Sequence, residues 1–167
     1  STLIEALSLL VGRRWSLTCI GDLGRDPSTT VRLRNLVRKF GLAHRIKFTG
    51  EVGESLLQEY YRKANLFVLA SHHEGYGMAL SEAISWGVPV ISTTGGAIPS
   101  TVPRLASLLV RPDDAAALSY AIARFMDEPR TRINLLAGAR GARGNQKGWG
   151  FAASCFATEM RRIVCDE

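Results

Sequence analysis

Two carboxylates, Glu74 and Glu82, enclose the stretch Glu74-Gly75-Tyr76-Gly77-Met78-Ala79-Leu80-Ser81-Glu82. Ionised carboxylates accept hydrogen bonds from ligand hydroxyls. Glycines at 75 and 77 let the backbone approach a ligand with no Cβ in the way. A helix starting directly after them presents unpaired N–H groups and a positive dipole end to a phosphate. Together these residue types describe a cradle for a ligand that carries both hydroxyls and phosphate. Other chemistry-bearing residues read more plainly. His72 and His73 are neighbours at a strand end and point to opposite faces, which disfavours a shared metal; both are expected as cleft or surface residues. Asp113-Asp114 reads as helix capping, with Asp113 at the N-cap, and Tyr60 and Tyr61 read as packing residues.

The elements that must position the cradle follow from periodicity. Asn65-Leu66-Phe67-Val68-Leu69-Ala70 is a continuous apolar run of strand formers, the pattern of a parallel strand buried on both faces. Met78 to Trp86 reads as a helix stopped at Gly87, and Val88-Pro89-Val90-Ile91-Ser92 begins the next strand. Before these lie a helix over Leu3 to Leu10, a strand over Trp15 to Ile20 ended by Gly21-Asp22-Leu23-Gly24, and an amphipathic helix over Thr29 to Phe40. A strand over Arg45 to Gly50 and a helix over Ser55 to Lys63 follow. After Ile91 come a turn-rich loop, Ser92 to Pro103, and a short strand, Leu108-Leu109-Val110. A helix bearing Leu118, Ile122, Phe125 and Met126 is next, then another from Arg130 to about Arg140. A glycine-rich and basic linker, Gly138 to Gly150, leads to a last helix, Phe151 to Val164. Strand and helix alternate, which predicts an α/β fold with a Rossmann-like, doubly wound parallel sheet. In such sheets ligands collect outside the carboxyl ends of the strands, where Glu74 to Gly77 must lie.

The length of 167 residues fits one domain with a real core, and 46% hydrophobic and 22% charged residues are ordinary for a soluble globular protein. No apolar run approaches a bilayer span and the start has no basic signal-peptide region. Against 15 acidic residues stand 21 basic ones, a formal charge of +6 that suits phosphate-bearing ligands or an anionic membrane surface. The clusters Arg32, Arg34, Arg38, Lys39 and Arg140, Arg143, Lys147 lack interleaved aromatics, so solvated faces are expected rather than a nucleic-acid patch. Cys19, Cys155 and Cys165 are odd in number and have no metal-ligand spacing. The simplest expectation is a reduced, cytoplasmic protein, with Cys19 acting as a small hydrophobe in a buried strand.

Taken in order, these segments resemble the nucleotide-sugar-binding, C-terminal half of GT-B fold retaining glycosyltransferases, family 4 (glycosyl transferase group 1). The resemblance runs over nearly the whole chain. It rests on Leu17 to Gly21, Ile46 to Val52, Tyr60 to Ala64, Leu66 to Ser71, the E-x7-E stretch from Glu74 to Glu82, Gly87 to Ile91, Gly95-Gly96 and Leu109 to Asp113. It implies that Glu82 accepts hydrogen bonds from both ribose hydroxyls and that Glu74 is the catalytic-site residue facing the transferred sugar. Gly75, Tyr76, Gly77 and Met78 would line sugar and diphosphate, Glu51 and Val52 in the turn after Gly50 would hold the base, and Gly21 and Asp22 would border the donor cleft. With one carboxylate on ribose and the other on sugar, the two are not an acid and base pair of the glycoside-hydrolase kind. The implied partners are a nucleoside diphosphate sugar and an acceptor held by another domain, with peripheral membrane contact compatible with the charge and with no metal, redox cofactor or nucleic acid.

The chain also departs from the family. The resemblance implies a preceding strand in the middle of the sheet, followed by a glycine-rich turn with an Arg and a Lys, and an N-terminal acceptor domain. None is present in these residues, so residues 1–167 are expected to be a donor-binding domain that by itself binds donor weakly and transfers nothing. Without that strand, Trp15 to Ile20 and Leu66 to Ala70 must either pair directly or leave a gap. Ser100 stands where an acidic residue is usual, and Trp149 and Phe151 are open to packing within the domain or against the absent half. A non-catalytic nucleotide-sugar module using the same cradle is the alternative. A dinucleotide-dependent oxidoreductase comes last, because Gly21-Asp22-Leu23-Gly24 lacks the third glycine of its fingerprint.

Overall fold

The computed structural model describes residues 1–143. The expected helix over Phe151 to Val164, the 144–150 part of the linker, Lys147, Trp149, Cys155 and Cys165 lie outside the described residues. Helix α1 spans Thr2–Ser8, strand β1 Leu17–Ile20, α2 Pro27–Lys39, β2 Ile46–Gly50, α3 Glu54–Lys63 and β3 Phe67–Leu69. Then come α4 at Met78–Ser85, β4 at Val90–Thr93, α5 at Ile98–Thr101, β5 at Ser107–Val110, α6 at Ala115–Asp127 and α7 at Pro129–Ala142. Every strand pairing is parallel, and helices connect the strands, so the α/β, Rossmann-like architecture read from the alternation is the one observed.

The strands form two sheets, β1-β2 and β3-β4-β5. β1 and β3 share no ladder, so a gap stands where direct pairing was the other expectation. One helical layer nevertheless spans both sheets. Ile4, Leu7 and Leu10 around α1, Val37 of α2 and Leu118, Ile122 and Phe125 of α6 pack with Leu17 and Cys19 of β1, Val68 of β3, Ile91 of β4 and Leu108 of β5. Among the described residues the opposite layer covers only the three-stranded sheet: Tyr61 of α3, Leu80, Ala83 and Ile84 of α4 and Ile98 of α5 meet Phe67, Leu69, Val90 and Leu109. The period-two alternation of a strand thus divides β3 to β5 between two cores, whereas the outward residues of β1, Thr18 and Ile20, are exposed.

Local chemistry sets the boundaries. Asp26 caps α2, its Oδ1 accepting from the Thr29 N–H at 2.9 Å and the Ser28 hydroxyl at 2.7 Å with Pro27 in the first turn, and these two donors hold its carboxyl down at about 2. Gly41, at φ 68°, ends that helix in the left-handed region. Three expectations change. The Ser92 to Pro103 loop contains α5, because Pro99 fits a first helical turn. Gly138 to Ala142 belong to α7 instead of an exposed linker: a Cβ at Gly138 would lie 2.0 Å from the Leu105 carbonyl oxygen, so glycine marks a close crossing there. The N-cap of α6 is Asp114, whose Oδ1 accepts from the Ala117 N–H at 2.8 Å. Arg32, Arg34, Arg38 and Lys39 are exposed, as are Arg140 and Arg143. Among the described residues no helix is long and apolar enough to cross a membrane.

Candidate functional site

β4 is the element that builds the site. Its four residues are all buried, yet two of them, Ser92 and Thr93, carry hydroxyls. Buried hydroxyls need partners, and these find them on the chain leaving β3: Ser92 Oγ donates to the Leu69 carbonyl at 2.6 Å and Thr93 Oγ1 to that of Ser71 at 2.5 Å. The segment after β4 continues the pattern. The Ala97 N–H donates to the Glu74 carbonyl at 2.8 Å, and Thr101 Oγ1 donates to the Tyr76 carbonyl at 2.5 Å. Four carbonyls between 69 and 76 are thereby fixed to β4 and α5, each hydrogen bond contributing about 1 kcal/mol net.

The close approach dictates the glycine pair. Glu74 and Gly96 form a parallel bridge. A Cβ at Gly95 would sit 2.2 Å from the His72 carbonyl oxygen, and one at Gly96 would sit 2.3 Å from that of Glu74, with φ at 64°. Any side chain at either position would push the Glu74 loop off β4.

On this support the Glu74 carboxylate is half-buried and accepts from Ser71 Oγ at 2.7 Å. Gly77 starts α4 at φ 77°, a left-handed turn that glycine enters freely, and the space around Gly75 is open. Tyr76 and Met78 are 48% and 53% exposed. In the first turn of α4 the Leu80 N–H donates to the Gly77 carbonyl at 3.0 Å, while the N–H groups of Met78 and Ala79 stand at the positive end of the helix dipole, ahead of any intrahelical acceptor. Glu82 lies one turn on and is exposed. Burial and the Glu82 carboxylate together push the Tyr61 phenol above its ordinary range. Tyr61 is the packing residue that was expected: it is 7% exposed, with its ring 6.3 Å from that of Trp86 and 6.2 Å from that of Phe67.

The remaining expected residues sit on the other sheet. Gly21, at φ 148°, follows β1 and its N–H donates to the carbonyl of Gly50 at 3.1 Å; Gly50, at φ 75°, turns the chain into Glu51 and Val52. Asp22 and Glu51 are exposed and Val52 is half-buried. Asp22 Oδ1 accepts from the Gly24 N–H at 2.7 Å, which closes its turn. The structure thus assembles Glu74 to Glu82 as one unit and Gly21, Asp22, Glu51 and Val52 as another, each at the carboxyl ends of its own strands.

Between the β3 and β5 loops lies a contact the sequence did not suggest. His72 Nδ1 is 2.9 Å from Asp113 Oδ2, and Asp113 Oδ1 accepts from Thr2 Oγ1 at 3.5 Å. Asp113 adopts φ 60°, which aspartate tolerates better than most residues, so it ties three segments together while Asp114 does the capping. Sequence reasoning also missed the roles of Ser92, Thr93 and Thr101. The available signal was the hydroxyl pair at the end of an otherwise apolar strand. Among the described residues, no cluster of three or more His, Cys, Asp or Glu could hold a metal.

The family described as glycosyl transferases group 1 matches residues 1–128. A D-inositol 3-phosphate glycosyltransferase of Streptomyces griseus is 30% identical over 172 residues, covering 98% of this chain and 36% of that protein. The lipopolysaccharide core biosynthesis mannosyltransferase LpsB of Rhizobium meliloti is 38% identical over 99 residues, 58% of this chain and 28% of its own length. Among solved structures, sucrose-phosphate synthase from Thermosynechococcus elongatus superposes with a TM-score of 0.83 at 27% identity, covering 99% of this chain and 42% of that one. The chain spans about a third of the length of the curated relatives it matches, 36% and 28% for these two.

Proposed function

Because this chain belongs to the glycosyl transferases group 1 family, we propose that it is the donor-binding domain of a retaining glycosyltransferase, in which a hexose-like sugar passes from a nucleoside diphosphate sugar to an acceptor held by another domain. The observation that carries the reading is the Glu74–Glu82 unit: two carboxylates and a glycine-started helix terminus on a loop held to β4 and α5 by four hydrogen bonds. A departing nucleoside diphosphate gathers negative charge, and a preorganised helix N-terminus stabilises that charge without reorganising when the bond breaks. In this reading Glu82 accepts from the ribose hydroxyls, Glu74 faces the transferred sugar, and the main chain of Gly75, Tyr76, Gly77 and Met78 follows sugar and diphosphate. Gly21 and Asp22 border the cleft, and Glu51 and Val52 hold the base. The reading calls for no metal or redox cofactor and no nucleic acid, and it places the intact enzyme in the cytoplasm with peripheral membrane contact through its basic surface.

Calorimetric titration of the chain with UDP, GDP, ADP and NAD, repeated with Glu82→Ala, tests the proposal. Selective binding of one nucleoside diphosphate, weakened at least tenfold by the substitution, is the expected result, since a carboxylate bonded to two hydroxyls carries more than 1.4 kcal/mol. NAD binding with no response to Glu82→Ala would overturn it.

A further inference from the structure

The β1-β2 half carries opposite charge at its two ends. In the turns that leave β1 and β2 stand Asp22, Asp26, Glu51 and, at the start of α3, Glu54, with Arg25 as their one basic residue. The segments that enter the two strands reverse this. Residues 9–16 and 38–45 hold Arg13, Arg14, Arg38, Lys39 and Arg45, together with His44, and no Asp or Glu. Parallel pairing sets these segments side by side: Leu17 pairs with Ile46, and the Leu17 N–H donates to the Arg45 carbonyl at 2.9 Å. Arg45 then ties them, its Nη1 donating to the Arg13 carbonyl at 2.6 Å and its guanidinium lying 5.1 Å from the centre of the Trp15 ring. Arg38 and Lys39 close α2, where cations complement the helix dipole. That account does not reach Arg13, Arg14 and Arg45, which lie outside the helices. Ion pairing does not account for the group either. Among the described residues, Arg13 alone of the five has a carboxylate partner, Asp127 at 2.7 Å. Two large apolar side chains complete the surface: Leu9 and Val11, in the turn between α1 and β1, are 62% and 54% exposed.

Exposed apolar side chains beside unpaired cations suit an anionic bilayer, where the first enter the headgroup boundary and the second meet the lipid charge. We propose that the amino end of the β1-β2 half, with Leu9, Val11, Arg14, Arg38 and Lys39 carried on the frame of Arg13 and Arg45, is the surface by which this chain rests on an anionic lipid bilayer. The inference rests on the peripheral membrane contact of the proposed function and gives that contact a place. It also gives an orientation. Lipid charge attracts this end and repels Asp22, Asp26, Glu51 and Glu54 at the other, so the proposed donor site turns toward water, from which a nucleoside diphosphate sugar arrives. The same surface suits nucleic acid poorly, because single strands stack on exposed rings and the two rings here, Trp15 and Phe40, are half-buried with Arg45 and Lys39 over them.

Co-sedimentation of the full chain with lipid vesicles tests the assignment. At about 0.1 M salt the wild type should bind vesicles of phosphatidylcholine mixed with phosphatidylglycerol and not those of phosphatidylcholine alone; at about 1 M, where the Debye length is about 3 Å, most of that binding should be lost. Arg14→Glu/Arg38→Glu reverses two exposed side chains and leaves Arg13 and Arg45 in place. A basic residue near an anionic leaflet strengthens binding about fivefold, so this variant should bind about 25-fold more weakly or worse, with its unfolding temperature little changed. Arg25→Glu/Arg111→Glu makes the same change in net charge at the carboxyl ends of β1 and β5, and should stay within about fivefold of wild type because charges beyond a Debye length are screened. Leu9→Ser/Val11→Ser should weaken binding about fivefold or more. Equal weakening by the two charge reversals would overturn the inference, because net charge and not this surface would then act. Wild-type binding by Arg14→Glu/Arg38→Glu would overturn it too and put the membrane contact elsewhere. So would an RNA or DNA oligonucleotide that binds in preference to the vesicles and releases the chain from them. If the wild type binds no anionic vesicle, the inference falls together with the membrane contact; the donor-site reading is decided separately, by titration with UDP and GDP.

Discussion

The two sheets solve the same problem unequally. The β3-β4-β5 sheet is covered on both faces, its central strand is buried along all four residues, and the loop leaving its first strand is fastened to the next strand by hydroxyls. The β1-β2 sheet has one covered face and one ladder, and its outward residues Thr18 and Ile20 are exposed. Parallel strands are ordinarily buried on both faces, so the second sheet is under-supported among the described residues. The division matters for the site. Glu74 and Glu82, which the proposed donor site uses through their side chains, stand on the well-built half, whereas Gly21, Asp22, Glu51 and Val52 stand on the thinner one.

The sharpest way to break this comparison is at the glycines. Gly96→Ala should destabilise by about 3 kcal/mol or more, since its Cβ would lie 2.3 Å from a carbonyl oxygen at a left-handed φ. Gly12→Ala, in the lead-in to β1 with nothing within 4 Å of the new Cβ, should stay within about 0.5 kcal/mol. Thermal unfolding of both variants reads the contrast directly. Next in size are the strand residues. Ile91→Ala removes a side chain with 0% exposure from β4 and should cost about 3 kcal/mol, while Ile20→Ala, 36% exposed on β1, should cost less than about 1. Denaturant midpoints at constant slope give both numbers. An Ile20→Ala cost matching that of Ile91→Ala would mean that the outer face of β1 is covered in solution, and the contrast between the halves would disappear.

How far this was legible beforehand depends on the kind of signal. Each strand and the α1 to α4, α6 and α7 helices follow from local patterns, because apolar runs, caps and glycine stops act within a few residues. Glu74 to Glu82 stood out for the same reason. What stayed hidden depends on residues brought together from afar. Asp113 and Asp114 look alike as caps, and only the position of His72 and Thr2 decides which caps the helix and which bridges loops. Gly138 looked like linker composition until Leu105 was seen beside it. The split into two sheets is likewise a statement about pairing, which no single strand encodes.

Thr101→Val sharpens the comparison at the site itself. It preserves shape and removes the hydroxyl that donates to the Tyr76 carbonyl at 2.5 Å and lies 3.0 Å from that of Ala97. Loss of about 1 to 1.5 kcal/mol is expected, read as a lower unfolding temperature with weaker binding of the nucleoside diphosphate that the wild type selects. Unchanged binding would show that the Tyr76 main chain is held without α5.

The smallest expected effect lies in the thinner half. Cys19 packs its thiol into the core shared with α1 and α6, and burial pushes it from the ordinary 9.0 up to about 11. Below pH 9 the thiol is protonated in both folded and unfolded chains and contributes no pH dependence. Between about 9 and 11 the unfolded chain loses this proton while the folded chain keeps it, so folding stability must fall as pH rises. By pH 10 the loss is about 1.4 kcal/mol, and Cys19→Ala should flatten that limb of a stability-against-pH curve. Amide exchange tells where the loss is felt: at pH values on that limb, β1 amides should lose protection relative to those of β4, because the charged thiolate is accommodated most easily by opening the sheet with one covered face. Parallel loss of protection in both strands would instead mean that the two sheets unfold as a single cooperative unit, joined through the α1 and α6 layer more tightly than their separate ladders suggest.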